Sequence, residues 1–232
     1  MHGLRAWYAA DPGQALLDGL QQRLDAWVPE LFGYHALQIG DLAPGRDLLA
    51  ASRIRHRLLI DPVPGQGQVA ARAERLPVAA ETVDLVLLPH GLEFSPTPHE
   101  ILREIDRVLV PEGHLVLAVF NPLSLYGGLR LALGWRGHAP WCGRFYGAWR
   151  VRDWLSLLGF DTLRCQSHGF RFPLGDRQQL QLMERLGERW TPYLGGVSLI
   201  LARKRVATLT PIRPRWRPGK GILRGGLTQP TP

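Results

Sequence analysis

Residues 76–121 read LPVAAETVDLVLLPHGLEFSPTPHEILREIDRVLVPEGHLVLAVFN, and this stretch decides the fold. Thr82 to Leu88 is a short run of branched apolar residues, the composition of a strand buried on both faces. Thr97-Pro98-His99-Glu100 offers a capping box with proline at the first helical position. Ile101, Leu102, Ile105, Val108 and Leu109 then recur at helical spacing. Pro111-Glu112-Gly113 ends that helix, because proline cannot continue it and glycine tolerates the turn. His114 to Phe120 reads as a second buried strand. The unit is strand, helix, strand, and a right-handed crossover makes its two strands parallel.

Upstream, Asp11-Pro12 starts a helix with Asp11 as its cap, and Leu16, Leu20, Leu24, Trp27 or Val28, and Leu31 form its apolar stripe. This helix is expected to cover a sheet edge or part of a ligand cleft. His35 to Gly40 is the first strand and GDLAPG (40–45) the loop after it. A short helix is expected over 45–52, a second strand over His56–Ile60 ending in Asp61-Pro62, and a third over 68–71. Downstream, Val151–Leu158 reads as a helix, Asp161–Ser167 as a strand, Arg177–Arg189 as a helix and Gly196–Arg203 as the last strand.

The order of these elements, together with LP…TVDLV…LREIDRVLVPEGHLVL, resembles the class I S-adenosylmethionine-dependent methyltransferases of the small-molecule type. The resemblance runs, with gaps, from about His35 to Arg205. It implies an α/β architecture: a Rossmann-like, seven-stranded, mostly parallel sheet with an antiparallel last strand and helices on both faces. S-adenosylmethionine is the implied cofactor, with a small molecule as methyl acceptor.

The resemblance also assigns residues. Gly40 and Asp41 belong to the loop that lies against the cofactor, where a tight turn without intervening side chains is needed. Asp61, at the end of the second strand, stands where a ribose diol donates two hydrogen bonds. Ala73, in a turn similar to the family's adenine contact, offers its backbone N–H, and Leu88 and Pro89 close the fourth strand beside the ligand. Ligands of open α/β sheets bind outside the carboxyl ends of strands. There His90 can accept a substrate proton, with Glu93 orienting it or acting itself, or the histidine packs under the cofactor without acid–base duty. Four positions depart from the family pattern. Gln38 replaces an acid, Leu42 and Pro44 replace glycines, and Arg72 replaces an aspartate. These favour the alternative of a methyltransferase fold that has lost its chemistry. A nicotinamide dehydrogenase fits poorly, because G-x-G-x-x-G is missing.

At 232 residues and 45% hydrophobic composition, the chain can bury one full core. Its net charge of +8 is uneven. Residues 203–232 carry eight basic side chains and no acid, so the 28 basic and 20 acidic residues leave 20 of each in 1–202. A methyltransferase-like domain is therefore expected over 1–204 and a basic, disordered tail over 205–232, able to hold RNA or an acidic partner by charge. Residues 121–149 form an aromatic insert, either lining an acceptor site or building a subdomain core. A membrane-surface role for it is disfavoured, because Leu125–Trp135 contains only Arg130 as a basic residue. Cys142 and Cys165 form no close-spaced metal or redox motif. With no apolar leader and no run of ~20 apolar residues, a cytoplasmic protein is expected.

Overall fold

The computed structural model describes residues 2–169 and 194–205. The helix expected over Arg177–Arg189 and the tail beyond Arg205 lie outside the described residues.

Seven strands form one sheet: β1 (His35–Ile39), β2 (His56–Asp61), β3 (Val69–Ala70), β4 (Val83–Pro89), β5 (Leu109–Phe120), β6 (Phe160–His168) and β7 (Val197–Lys204). Their order is β3-β2-β1-β4-β5-β7-β6. β7 runs antiparallel to both β5 and β6, and the other pairs are parallel. The sheet expected from the sequence is thus the one observed.

Strand residues divide alternately between two apolar clusters, as the two-residue period of a pleated sheet requires. On one face Leu85, Leu87, Val116, Ala118 and Phe120 meet the N-terminal helices α1 (His2–Ala9) and α2 (Asp11–Trp27). On the other, Val86, Leu88, Leu115, Leu117 and Val119 meet α3 (Pro98–Val108) and α5 (Ala148–Leu157). Ile101, Leu102, Ile105 and Val108 of α3 are all buried. Each such side chain contributes about 1.5–3 kcal/mol on burial. The polar side of α3 is used as well. Glu104 accepts from the Leu76 amide at 2.8 Å, and Arg107 donates to the Leu76 and Val78 carbonyls and to Glu104. That pair clamps the Leu76-Pro77 turn to the helix, so the REIDR sequence serves both packing and turn geometry.

Several local expectations are corrected. Thr97 is the N-cap of α3 by position, but its side chain makes no capping bond. Its amide donates instead to Ser95 Oγ at 3.1 Å, which keeps the loop wound ahead of the helix. Asp11 is the first residue of α2 rather than its cap, which is Ala10. Residues 45–52 form successive turns and no helix, with Asp47 Oδ1 accepting the Leu49 amide. Such side chain–backbone bonds compete with helix hydrogen bonding. The aromatic insert after β5 contains a helix, α4 (Leu125–Leu133), capped by Ser124 through the Gly127 amide. α1 was not foreseen at all.

His168, at the end of β6, is 1% exposed. Burial, and then the charges of Arg23 and His90, push its pKa down from 6.5 to about 3. Between those values the unfolded chain binds a proton that the folded chain does not. Stability should therefore fall as pH drops through this window, by at most about 1.4 kcal/mol per pH unit. Urea denaturation at stepped pH should show this slope in the wild type and a flatter one in His168→Leu. Equal slopes would place the acid sensitivity elsewhere.

Candidate active site at the carboxyl ends of the central strands

The carboxyl ends of β1, β2 and β4 carry two buried polar clusters, and α1 touches both. In the first, Gly40 follows β1 with φ of 93°, a left-handed conformation that suits glycine. The chain turns there so that the Asp41 amide donates to Asp61 Oδ2 at 2.9 Å, while the Val63 amide donates to Asp61 Oδ1 at 2.8 Å. Arg5 Nη2 donates to Asp61 Oδ2 as a buried ion pair, and Arg5 Nε donates to the Asp41 carbonyl at 2.7 Å. The Asp61 side chain has no exposed surface. Burial pushes its pKa up, but the hydrogen bonds from Arg5, Asp41 and Val63 outweigh it and hold the carboxyl below its ordinary range. Asp41 moves the other way: burial and the Asp61 charge raise it, against the Ala43 amide and Arg5. One carboxylate is thus kept ionised and a neighbour is pushed toward its neutral form.

The second cluster begins where β4 ends in Leu88 and Pro89, both buried. His90 follows with φ of 54°, rare for a residue bearing a side chain. Its amide donates to the Ala118 carbonyl at 2.8 Å, and its ring stacks on Phe120 with centroids 4.1 Å apart. His90 Nδ1 lies 2.9 Å from Glu93 Oε1, which also accepts the Phe120 amide at 2.7 Å. His90 Nε2 lies 2.7 Å from the Tyr8 hydroxyl. Burial, then the charge of Glu93, raise the Tyr8 pKa well above its ordinary value, so Tyr8 remains a phenol. The consistent assignment has Tyr8 O–H donating to Nε2 and Nδ1–H donating to Glu93.

Gly40, Asp41 and Asp61 are therefore brought together, and so are Leu88, Pro89, His90 and Glu93. Ala73 is only partly buried against the α3 side of the core and shares no hydrogen bond with Asp41 or Asp61 among the described residues. It is tied to them indirectly, since the Ala71 amide donates to the Asp61 carbonyl at 3.1 Å. Gln38 compensates for the acid it replaces by donating from Nε2 to the Gly40 carbonyl at 3.0 Å. Leu42 does not fill the cleft: it is buried in the apolar cluster beside α2. Arg72 is exposed and pairs with Glu74 at 3.4 Å. Two site residues were missed, Arg5 and Tyr8. Their spacing of three places them on one helix face, which was the available signal.

A seven-stranded sheet in this order, with a buried acid at the end of β2 and a glycine turn after β1, defines the class I S-adenosylmethionine-dependent methyltransferases, and the chain belongs to that family. A sequence profile described as a methyltransferase domain matches residues 41–117. Among individual relatives, an uncharacterized protein of Escherichia coli, YafS, is 34% identical over 219 residues, covering 91% of this chain and 88% of its own. Solved folds agree. A Thermotoga maritima methyltransferase described as a possible histamine N-methyltransferase superposes with a TM-score of 0.60 at 16% identity, over 88% of this chain and 99% of that one. A Haloferax volcanii putative methyltransferase, solved with the activator Trm112, gives 0.61 at 19% identity over 88% and 96%.

S-adenosylmethionine is the cofactor, and the donor chemistry of the site fits it. The Asp61 carboxylate is held ionised at the end of β2, and Gly40 places no side chain over the loop. At this site Arg5 Nη1 and Glu93 Oε2, two of seven such buried side-chain atoms, have no hydrogen-bond partner among the described residues. Tyr8→Phe would add a third orphan, His90 Nε2. We expect a loss of about 1–3 kcal/mol in urea denaturation. A neutral result would show that solvent reaches Nε2.

Proposed function

We propose that this protein transfers a methyl group from S-adenosylmethionine to a small-molecule acceptor. The observation that carries the reading is Asp61: an acid at the end of β2, wholly buried and still held ionised. Bound there, S-adenosylmethionine supplies a sulfonium methyl electrophilic enough to be taken by an acceptor lone pair. Positioning then does most of the work.

The chain's own residues have definable parts in this scheme. Asp61 accepts hydrogen bonds from the ribose diol, and its two backbone donors keep the carboxylate aimed out of the strand end. Gly40 and Asp41 hold the loop against the cofactor, Ala73 offers a backbone N–H, and Leu88 and Pro89 form the apolar floor. His90 takes a proton from the acceptor at Nε2. Glu93 holds Nδ1–H and so fixes the tautomer in which Nε2 is the acceptor, the atom that the Tyr8 hydroxyl engages in this structure. The strained backbone at His90 is over-determined by the Ala118, Glu93 and Phe120 contacts, as expected where geometry serves a reaction. The near-neutral charge of residues 1–202 supports a small acceptor over a nucleic acid.

Supplying methyl-labelled S-adenosylmethionine with a small-molecule extract should place label in that fraction, and His90→Gln should lower kcat by about 10²-fold or more. Label appearing only in RNA or protein would overturn the acceptor class. A second reading has its own observation. Arg5 and Tyr8 occupy Asp61 and His90 in this structure, which suits a fold that keeps its shape without catalysis. Cofactor binding with no transfer to any fraction would favour it.

A further inference from the structure

α1 presents Leu4, Arg5 and Tyr8 inward on one face. Arg5 holds Asp61, the ribose acceptor in the reading above, and Tyr8 holds His90 Nε2, its proton acceptor. We propose that α1 is an autoinhibitory latch: Arg5 is a built-in competitor for the ribose site, and S-adenosylmethionine binds only as α1 lifts. This rests on Asp61 being the ribose acceptor.

The lone-pair count supports it. A carboxylate offers about four acceptor sites. Arg5, Asp41 and Val63 use three of them, while a ribose diol needs two. The side chain also has no exposed surface, so no ligand reaches it while Arg5 stays. Asp41 and Val63 donate from the backbone of the turns flanking Asp61 and cannot withdraw without unfolding them. Arg5, 56 residues away in sequence, is the partner that can leave.

The latch is also incompletely satisfied. Arg5 Nη1 is buried without a partner among the described residues, so the closed state carries a cost that opening relieves. The joint between α1 and α2 is a single extended residue. Ala10 is extended, with φ −88° and ψ 159°, between α1 and the first turn of α2. Gly13 lets the two helices approach, since a Cβ there would lie 2.2 Å from the Trp7 carbonyl oxygen. Opening pivots at Ala10 and gives up the Gly13 contact with α1, while α2 keeps its place in the core.

Titration calorimetry with S-adenosylmethionine on the full chain tests this, beside hydrogen exchange of residues 2–9. Arg5→Ala should bind at least about tenfold tighter than wild type, because the competent state is no longer masked. In an Asp61→Ala background the same change should give no gain, since the contested acceptor is gone. In the wild type, cofactor should speed amide exchange across 2–9. Should Arg5→Ala fail to fold, Arg5→Gln keeps a donor without the charge and should also tighten binding. Equal or weaker binding by a folded Arg5 variant would overturn the latch and leave the cofactor reading standing. So would slower exchange of α1 on binding. No binding by either wild type or variant would remove both.

Discussion

The buried carboxylate of Asp61 is the constraint on which the upper half of the molecule depends. A charge placed out of water is costly unless it is paired and hydrogen-bonded. Here the partners come from three separate pieces of chain: the loop after β1, the loop after β2, and α1. Satisfying one side chain therefore fixes the turn at Gly40, aims the Pro62 loop and docks the N-terminus. Removing any partner leaves charge stranded, so the arrangement behaves as a unit. The same arrangement keeps Asp61 ionised.

His90 shows a related economy. Its left-handed backbone costs on the order of 1–3 kcal/mol and turns the chain out of β4 so that the ring lies on Phe120. Glu93, three residues on, returns to hold Nδ1 and the Phe120 amide with the same oxygen. The end of β5 is thereby tied to the loop after β4, and the aromatic cluster of Trp7, Tyr8, Phe120, Tyr126, Trp141 and Phe145 closes above it. The insert's aromatics thus divide. Trp141 and Phe145 pack inward, whereas Trp135 and Trp149 are largely exposed.

The sheet was legible because its signals are local and redundant. β4, α3 and β5 carry apolar periodicity, a breaker and length that all agree. Gly40 and Asp61 were legible because they sit at strand ends, a position that can be counted. The elements that were misread lack such agreement. α1 has eight residues, below the length at which a helix is stable alone, and tertiary contacts hold it in place. Its two buried polar side chains, Arg5 and Tyr8, have partners 56 and 82 residues away, a relation no local pattern encodes. Residues 45–52 look helical by composition, but Asp47 and Ser52 bond to the backbone two residues on and divert the chain into turns. Thr97 and Glu100 have capping-box spacing, yet Ser95 takes the Thr97 amide first.

The departures at Leu42 and Pro44 take on a different meaning once α1 and α2 are in place. In a loop lying open to a cofactor, Leu42 would obstruct. In this fold its side chain is 1% exposed and packs with Leu48, Leu49 and the α2 stripe. Its burial contributes about 1.5–3 kcal/mol to docking the N-terminal helices, a contribution glycine cannot make. Pro44 limits the loop's freedom before folding and loses little, because the next bond in the turn, from the Arg46 amide to the Ala43 carbonyl, needs no donor at 44. The loop has exchanged close approach for a stronger hold on α2, and α2 leads directly back to the helix that carries Arg5. Leu42 in the loop and Arg5 on Asp61 thus both tie the N-terminal helices to the carboxyl ends of β1 and β2.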